Sequence, residues 1–348
     1  MNIRKSTAGL FAVPALCIAL VFSLSGCRRS TLTGGETITL PAPSAVEAEE
    51  TSSAEESASV SVESAAESEA SAETSAEETF AMLDRFSAYA TDIFVYDCVT
   101  GGFTELTCDG DSRVYPASTT KLLTALLALE LMDEDEIIQP GDEVYMTGEN
   151  ASFAYVRPQH RLTVSTLIEG MLLPSGNDAA YALAAACGRR LAGDEALGCE
   201  AAVARFVDGM NEYARKIGCT GSHFTAPDGF DGEGNYSCLY DMAIISRLAA
   251  ENEVIMRYAG LHSDDVTYAS GHTITWVNTN KQLDPESEYY NSHVTGLKTG
   301  SLNENCCVIT SYDDGEHRFI IGVFGARTDD ERYADTKALI ALLTQDQI

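Results

Sequence analysis

One stretch constrains the fold more than any other. Tyr115-Pro116-Ala117-Ser118-Thr119-Thr120-Lys121 runs directly into Leu122-Leu123-Thr124-Ala125-Leu126-Leu127-Ala128-Leu129-Glu130. Proline is tolerated in a helix's first turn, where its missing N–H has no partner anyway, so Pro116 and Ala117 read as a helix entry. No charge separates Lys121 from Glu130, and a helix that is apolar on most sides belongs in an interior. Ser118 and Lys121 are three apart, which places them on one face of the expected helix, one turn apart. A serine hydroxyl attacks only when a base takes its proton. A lysine amine is such a base once burial and positive neighbours lower its pKa. The helix N-terminus would add backbone donors for a developing oxyanion. Read alone, one Ser-x-x-Lys in a serine-rich chain is also what chance produces.

The amino end carries its own pattern. Arg4 and Lys5 precede an apolar run from Ala8 to Leu24, which ends in Leu24-Ser25-Gly26-Cys27. A charged start followed by an apolar run reads as an export signal. Small residues before Cys27 look like a bacterial lipobox, which implies cleavage there and a lipid on the cysteine sulfur. The expected location is the extracytoplasmic face of the membrane, lipid-anchored, with plain secretion as the alternative. Residues 1–27 are therefore the expected signal segment. Residues 28–79 are the expected spacer: from 31 to 80 there are twelve Asp or Glu and no Lys or Arg. Such a segment buries too little apolar surface to offset its ordering entropy, so a disordered acidic stalk is expected.

Residues 80–348 remain for the folded part, enough for one large domain or two joined lobes. The formal net charge of the chain is −31. The part beyond the spacer is still acidic, which argues against a nucleic-acid partner. Phe80 to Tyr89 reads as a short helix. Asp92 to Asp97 and Phe103 to Thr107 read as strands around Thr100-Gly101-Gly102. From about 133 to 260 the pattern is mostly helical, over Val164 to Leu173, Asp178 to Gly188, Glu200 to Ile217 and Tyr240 to Ala250. Strands follow at Thr273 to Val277, Val294 to Thr299, Cys306 to Tyr312 and Arg318 to Gly325, and Asp330 to Gln347 closes as a helix. The expected fold class is α/β (α+β): an antiparallel sheet whose early and late strands meet, flanked by helices, plus a mostly helical lobe.

Two further segments carry chemistry. In Pro174-Ser175-Gly176-Asn177-Asp178 a tight turn brings a hydroxyl and a carboxamide together, although Ser-Gly-Asn is also ordinary turn and helix-cap chemistry. Gly296-Leu297-Lys298-Thr299-Gly300-Ser301 lies on a late strand, where glycine permits close backbone approach. Lys298 and Thr299 suit a carboxylate there, and a solvated strand end is the plainer account. Ser-x-x-Lys, Ser-x-Asn and Lys-Thr-Gly in this order are the motif set of penicillin-binding proteins and class A β-lactamases. The flanks narrow it. Pro116 to Lys121, Ser175 to Ala180, Phe224-Thr225-Ala226-Pro227-Asp228-Gly229-Phe230 and Arg332 to Leu339 resemble the low-molecular-mass D-alanyl-D-alanine carboxypeptidases, over roughly residues 88–345.

That resemblance implies a peptidoglycan stem peptide as substrate and β-lactams as covalent inhibitors. It casts Ser118 as nucleophile, Lys121 as its base, and Ser175 as the proton relay to the leaving D-Ala. Asn177 would orient Lys121 and the substrate amide, and Lys298 and Thr299 would serve the terminal carboxylate. Gly300 would let the substrate lie along the strand, with Ser118 and Ser301 N–H groups as the oxyanion hole. Arg332 is the candidate for assisting carboxylate binding, with Arg327 second. No cofactor is implied, and no zinc-ligand spacing occurs in the sequence. Ser301-Leu302-Asn303-Glu304-Asn305-Cys306-Cys307 departs from the family, being short and lacking a usual glycine. The alternatives are a D,D-endopeptidase, a β-lactamase, or a tethered cell-wall binding protein without activity. A class A β-lactamase needs a glutamate-activated water, and no such glutamate loop lies between Asn177 and Lys298. Of ten cysteines, Cys219–Cys238 and Cys187–Cys199 are open as disulfides, with buried free thiols the equal alternative.

Overall fold

The computed structural model describes residues 86–107, 113–230 and 234–344, together with Leu83 and three short strands between residues 30 and 39. The expected signal segment, Cys27 and most of the expected spacer lie outside the described residues, as does Cys108. In chain order the strands are β1 (Ser30–Thr31), β2 (Thr33–Gly34), β3 (Ile38–Thr39), β4 (Ser87–Ala88), β5 (Asp92–Asp97), β6 (Gly102–Thr107), β7 (Arg113–Val114), β8 (Ile137–Ile138), β9 (Leu162–Thr163), β10 (Ser237–Cys238), β11 (Ser263–Thr267), β12 (Thr273–Val277), β13 (Val294–Leu302), β14 (Asn305–Asp313) and β15 (Arg318–Ala326). The α-helices are α1 (Lys121–Leu131), α2 (Val164–Leu172), α3 (Asn177–Ala192), α4 (Cys199–Lys216), α5 (Leu239–Glu251), α6 (Glu253–Ala259) and α7 (Asp329–Leu343).

The main sheet has the order β13-β14-β15-β5-β6-β2, with β3 also on β6, and every pairing is antiparallel. Early and late strands meet where β5 pairs with β15. Successive side chains of a strand point to opposite faces, and here both faces are covered. Phe94 and Tyr96 of β5, Cys307 and Ile309 of β14, and Ile320 and Phe324 of β15 join the core shared with α1 to α6. Ile93, Val95, Val308, Ile321 and Val323 join a second core with Tyr333, Leu339 and Ile340 of α7. That two-sided burial is why these strands read as near-continuous apolar runs. Helix α1 sits inside the larger core, its residues from Lys121 to Ala128 all buried.

Three expectations are corrected. Ser87–Ala88 is a strand rather than part of a helix over Phe80 to Tyr89. Asp335 on α7 accepts hydrogen bonds from the Tyr89 and Ala90 N–H groups at 2.8–3.1 Å, so a remote carboxylate fixes this backbone instead of a local helix. The start of the expected spacer is not wholly unpaired. β1 pairs with β4, and β2 and β3 pair with β6, whose outer edge would otherwise leave a row of unsatisfied backbone groups. The disulfide option is also set aside. Cys98, Cys187, Cys199, Cys219, Cys238, Cys306 and Cys307 are all free, and Cys187 and Cys219 pack as small apolar groups in the larger core.

Gly322 of β15 faces Phe94 across the strand pair. A methyl group there would lie 2.1 Å from the Phe94 ring. Gly322→Ala is therefore expected to lower stability by about 1–3 kcal/mol, read in urea from the emission of the one tryptophan, Trp276.

Candidate active site

Ser118 does not lie on the α-helix. Ala117–Thr120 is a separate 3-10 turn, and α1 begins at Lys121. With three residues per turn, positions i and i+3 eclipse, so this geometry stacks Ser118 and Lys121 more directly than an α-helix would. The turn is tied by Thr119, whose N–H and hydroxyl both donate to Pro116 O, at 3.0 and 2.6 Å. Ala117 sits in the left-handed region at φ 45°. Gly229 lies hard against it, where any Cβ would fall 1.9 Å from Ala117 O.

Lys121 is fully buried, at 0% exposure. Its Nζ lies 2.7 Å from Ser118 Oγ, 2.9 Å from Asn177 Oδ1 and 3.0 Å from Asp228 O. Burial pushes its pKa down to about 8, with the charges of Asp228 and Asp178 pulling the other way. The two carbonyl oxygens can only accept hydrogen bonds. When Lys121 is neutral, its two N–H bonds go to those carbonyls and its lone pair is left facing the Ser118 hydroxyl.

Asn177 opens α3 at the end of the Ser175 turn. Its backbone N–H donates to Ser152 O at 2.8 Å. Next to it, buried Asp178 accepts from Ala154 N and Val156 N, both at 2.8 Å. The carboxylate therefore holds the 152–156 loop against the turn, and the Trp276 indole donates to Ala154 O from behind at 3.1 Å. Ser175 is buried at φ 60°, a strained placement for a non-glycine residue of the kind that gathers at functional sites. With its oxygen on Lys121, Asn177 keeps a buried Nδ2 that has no partner. A buried donor of that kind costs free energy until an acceptor arrives.

The third segment is β13. Gly300 runs so close to the Ser118 turn that a Cβ would lie 2.8 Å from Pro116 O and 3.1 Å from Ser118 N. Lys298 is buried and donates to Thr299 O at 3.0 Å. Burial, then the charges of Lys121 and Arg332, hold its amine well below the usual lysine range. Arg332 is 3% exposed and comes from α7 behind the strand. Its Nη1 donates to Gly300 O at 2.8 Å, Ser301 Oγ at 3.1 Å and Cys307 O at 2.8 Å, and it pairs with Asp329. Arg332 therefore acts on the strand and on Ser301, and it is buried rather than a surface charge. Arg327 is exposed, and its N–H is bound to Glu331. The atypical segment after Gly300 is a two-residue turn between Leu302 and Asn305, with Asn303 left-handed at φ 54°. Asn305 then bonds Tyr115 O at 2.8 Å and Gly325 N at 3.1 Å, tying the hairpin to the stretch before Ser118.

Hydrogen bonds at Lys121 and the backbone contact at Gly300 thus bring the three motifs together, and a model of the peptidase S11 family, D-alanyl-D-alanine carboxypeptidase, matches residues 88–328. The chain belongs to that family. It is 32% identical over 237 residues to the D-alanyl-D-alanine carboxypeptidase DacF of Bacillus subtilis, covering 67% of this chain and 56% of that protein. It is 31% identical over 242 residues to DacA of Escherichia coli, covering 67% and 55%. The chain spans about half the length of these curated relatives. The crystal structure of the Streptomyces K15 DD-transpeptidase superposes with a TM-score of 0.66 at 27% identity, over 75% of this chain and 98% of that one. That likeness supports the α/β peptidase fold described above.

Sequence reasoning missed two contributors to this candidate site. Asp228 O bonds Lys121 through a backbone atom, which carries no residue-type signal. Thr279 lies 2.6 Å from Thr299, hydroxyl to hydroxyl, and sits in a polar stretch without periodicity. Gly300→Ala is expected to force β13 away from the Ser118 turn and cost about 1–3 kcal/mol, visible as a lowered thermal midpoint.

Proposed function

We propose that this chain is a serine-type D-Ala-D-Ala carboxypeptidase acting on peptidoglycan stem peptides through an acyl-enzyme. The observation that carries the reading is a single buried amine within 3 Å of both Ser118 Oγ and Asn177 Oδ1. Neutral Lys121 takes the Ser118 proton as Oγ bonds to the carbonyl carbon of the penultimate D-Ala. The oxyanion forms against the Ser118 and Ser301 N–H groups. The C–N bond then breaks, and the leaving amine takes the proton from Lys121 by way of Ser175. Water attacks the ester, and the same groups return the proton to Ser118. Asn177 Nδ2 is the donor for a substrate amide carbonyl. Thr299 meets the terminal carboxylate, and Lys298 and Arg332 supply positive potential behind it. Lys298, depressed by burial and then by its cationic neighbours, regains charge when that carboxylate arrives.

Two tests follow from this chemistry. Benzylpenicillin should add its full mass to the wild type and nothing to Ser118→Ala, and D-alanine release from a diacetyl-Lys-D-Ala-D-Ala peptide should vanish in the same variant. No adduct on the wild type, or one that survives Ser118→Ala, defeats the reading. The second test is pH. Protonation removes the Lys121 lone pair, so acylation should fall as pH drops below about 8, by about tenfold per unit well below it. A rate flat from pH 6 to 9 contradicts the assigned base.

Export and lipid anchoring through Cys27 belong to the same proposal, supported by Leu24-Ser25-Gly26-Cys27 after the apolar run. β-Lactams would be covalent inhibitors at Ser118. Cys27→Ala should move the protein from the membrane to the soluble fraction; an unchanged membrane share rules out the lipid.

A further inference from the structure

Thr279 lies outside the three motifs. It follows the β12 strand and reaches Thr299 of the Lys-Thr-Gly motif. Its N–H donates to Leu173 O at 3.0 Å, two residues before Ser175, and its carbonyl accepts from Tyr333 Oη at 3.1 Å. Tyr333 Oη in turn accepts from Lys281 N at 3.1 Å. The backbone of Thr279 is therefore clamped between the Ser175 turn and α7, and its place does not depend on its own hydroxyl. Its residue is exposed, whereas Thr299 is 4% exposed. The two hydroxyl oxygens are 2.6 Å apart, a short hydrogen bond in which either can donate.

The two orientations differ for an anion. If Thr299 donates to Thr279, its only proton is spent and it offers a carboxylate nothing but lone pairs. If Thr279 donates, the Thr299 proton is free, and the chain from Thr279 through Thr299 to an anion is polarised in one direction. We propose that Thr279 is a positioning residue for carboxylate recognition: it donates to Thr299 so that the Thr299 hydroxyl is presented to the free C-terminus of the substrate. This rests on the carboxypeptidase reading above and deepens it, since it makes selection of a free carboxylate depend on a residue outside the motif set.

The test compares acylation by benzylpenicillin with acylation by its methyl ester, which lacks the anion. In Thr279→Val the second-order acylation rate with the acid should fall about five- to tenfold, while that with the ester stays within about twofold, the scale of one hydrogen bond. Thr279→Ser keeps the donor and should restore the acid-to-ester ratio. An equal fall for both compounds marks a merely structural role and overturns the proposal. So does a Thr279→Val enzyme with the wild-type ratio, or a Thr279→Ser variant that behaves like valine. If the wild type reacts with neither compound, the acyl-enzyme reading itself fails and takes this proposal with it. If the wild type reacts and the ratio does not move, only the role of Thr279 falls.

Discussion

A lysine amine with no exposure to water has to find its partners inside the protein, and much of this structure is arranged around that demand. The acceptors of Lys121 come from separate parts of the chain: Ser118 three residues back, Asn177 at 56 residues and Asp228 at 107. Each needs its own scaffold. The 3-10 turn aligns Ser118, the Asp178 carboxylate fixes the loop that holds Asn177, and Gly229 lets the 224–230 segment lie on the turn at backbone contact. Desolvation disfavours the ammonium while these carbonyl oxygens satisfy the amine's N–H groups. The same packing that makes the lysine a base also aims it.

That dependence explains which parts were legible beforehand. Helix α1 was readable because the eight residues without charge from Leu122 to Leu129 leave an interior as their only setting. The late strands β14 and β15 were readable because double burial writes itself as apolar runs. The motif residues were readable because their side chains do the chemistry. The 3-10 geometry at Ser118 was not, because its cause is tertiary: Gly300 and Gly229 press on the turn from two sides. Nor was β4, whose backbone is fixed by Asp335 some 245 residues away. Arg332 was singled out by residue type, while its packing from α7 against β13 was not readable, since nothing in its sequence neighbours says where α7 lies.

Glycine marks the seams where these pieces join. At Gly300 the β13 strand meets the Ser118 turn, and at Gly229 the 224–230 segment meets it from the other side. Both contacts are between backbones, which cannot rotate away as a side-chain tip can. A close approach of main chains brings N–H groups of the turn and the strand to one place, the condition for an oxyanion site. The turn Leu302 to Asn305 keeps this seam closed without the longer segment usual in the family, because Asn305 bonds Tyr115 O and Gly325 N at once.

Electrostatics sets the remaining constraint. Lys121, Lys298 and Arg332 are all nearly or fully buried in an otherwise acidic chain. Burial first, then the charges of Lys121 and Arg332, hold the Lys298 amine well below the usual lysine range. Backbone carbonyls of Thr299, Gly300 and Cys307 take the N–H donors but carry no full charge. On the function proposed above, a carboxylate arriving beside Thr299 would favour the charged form of Lys298, since a buried site screens poorly.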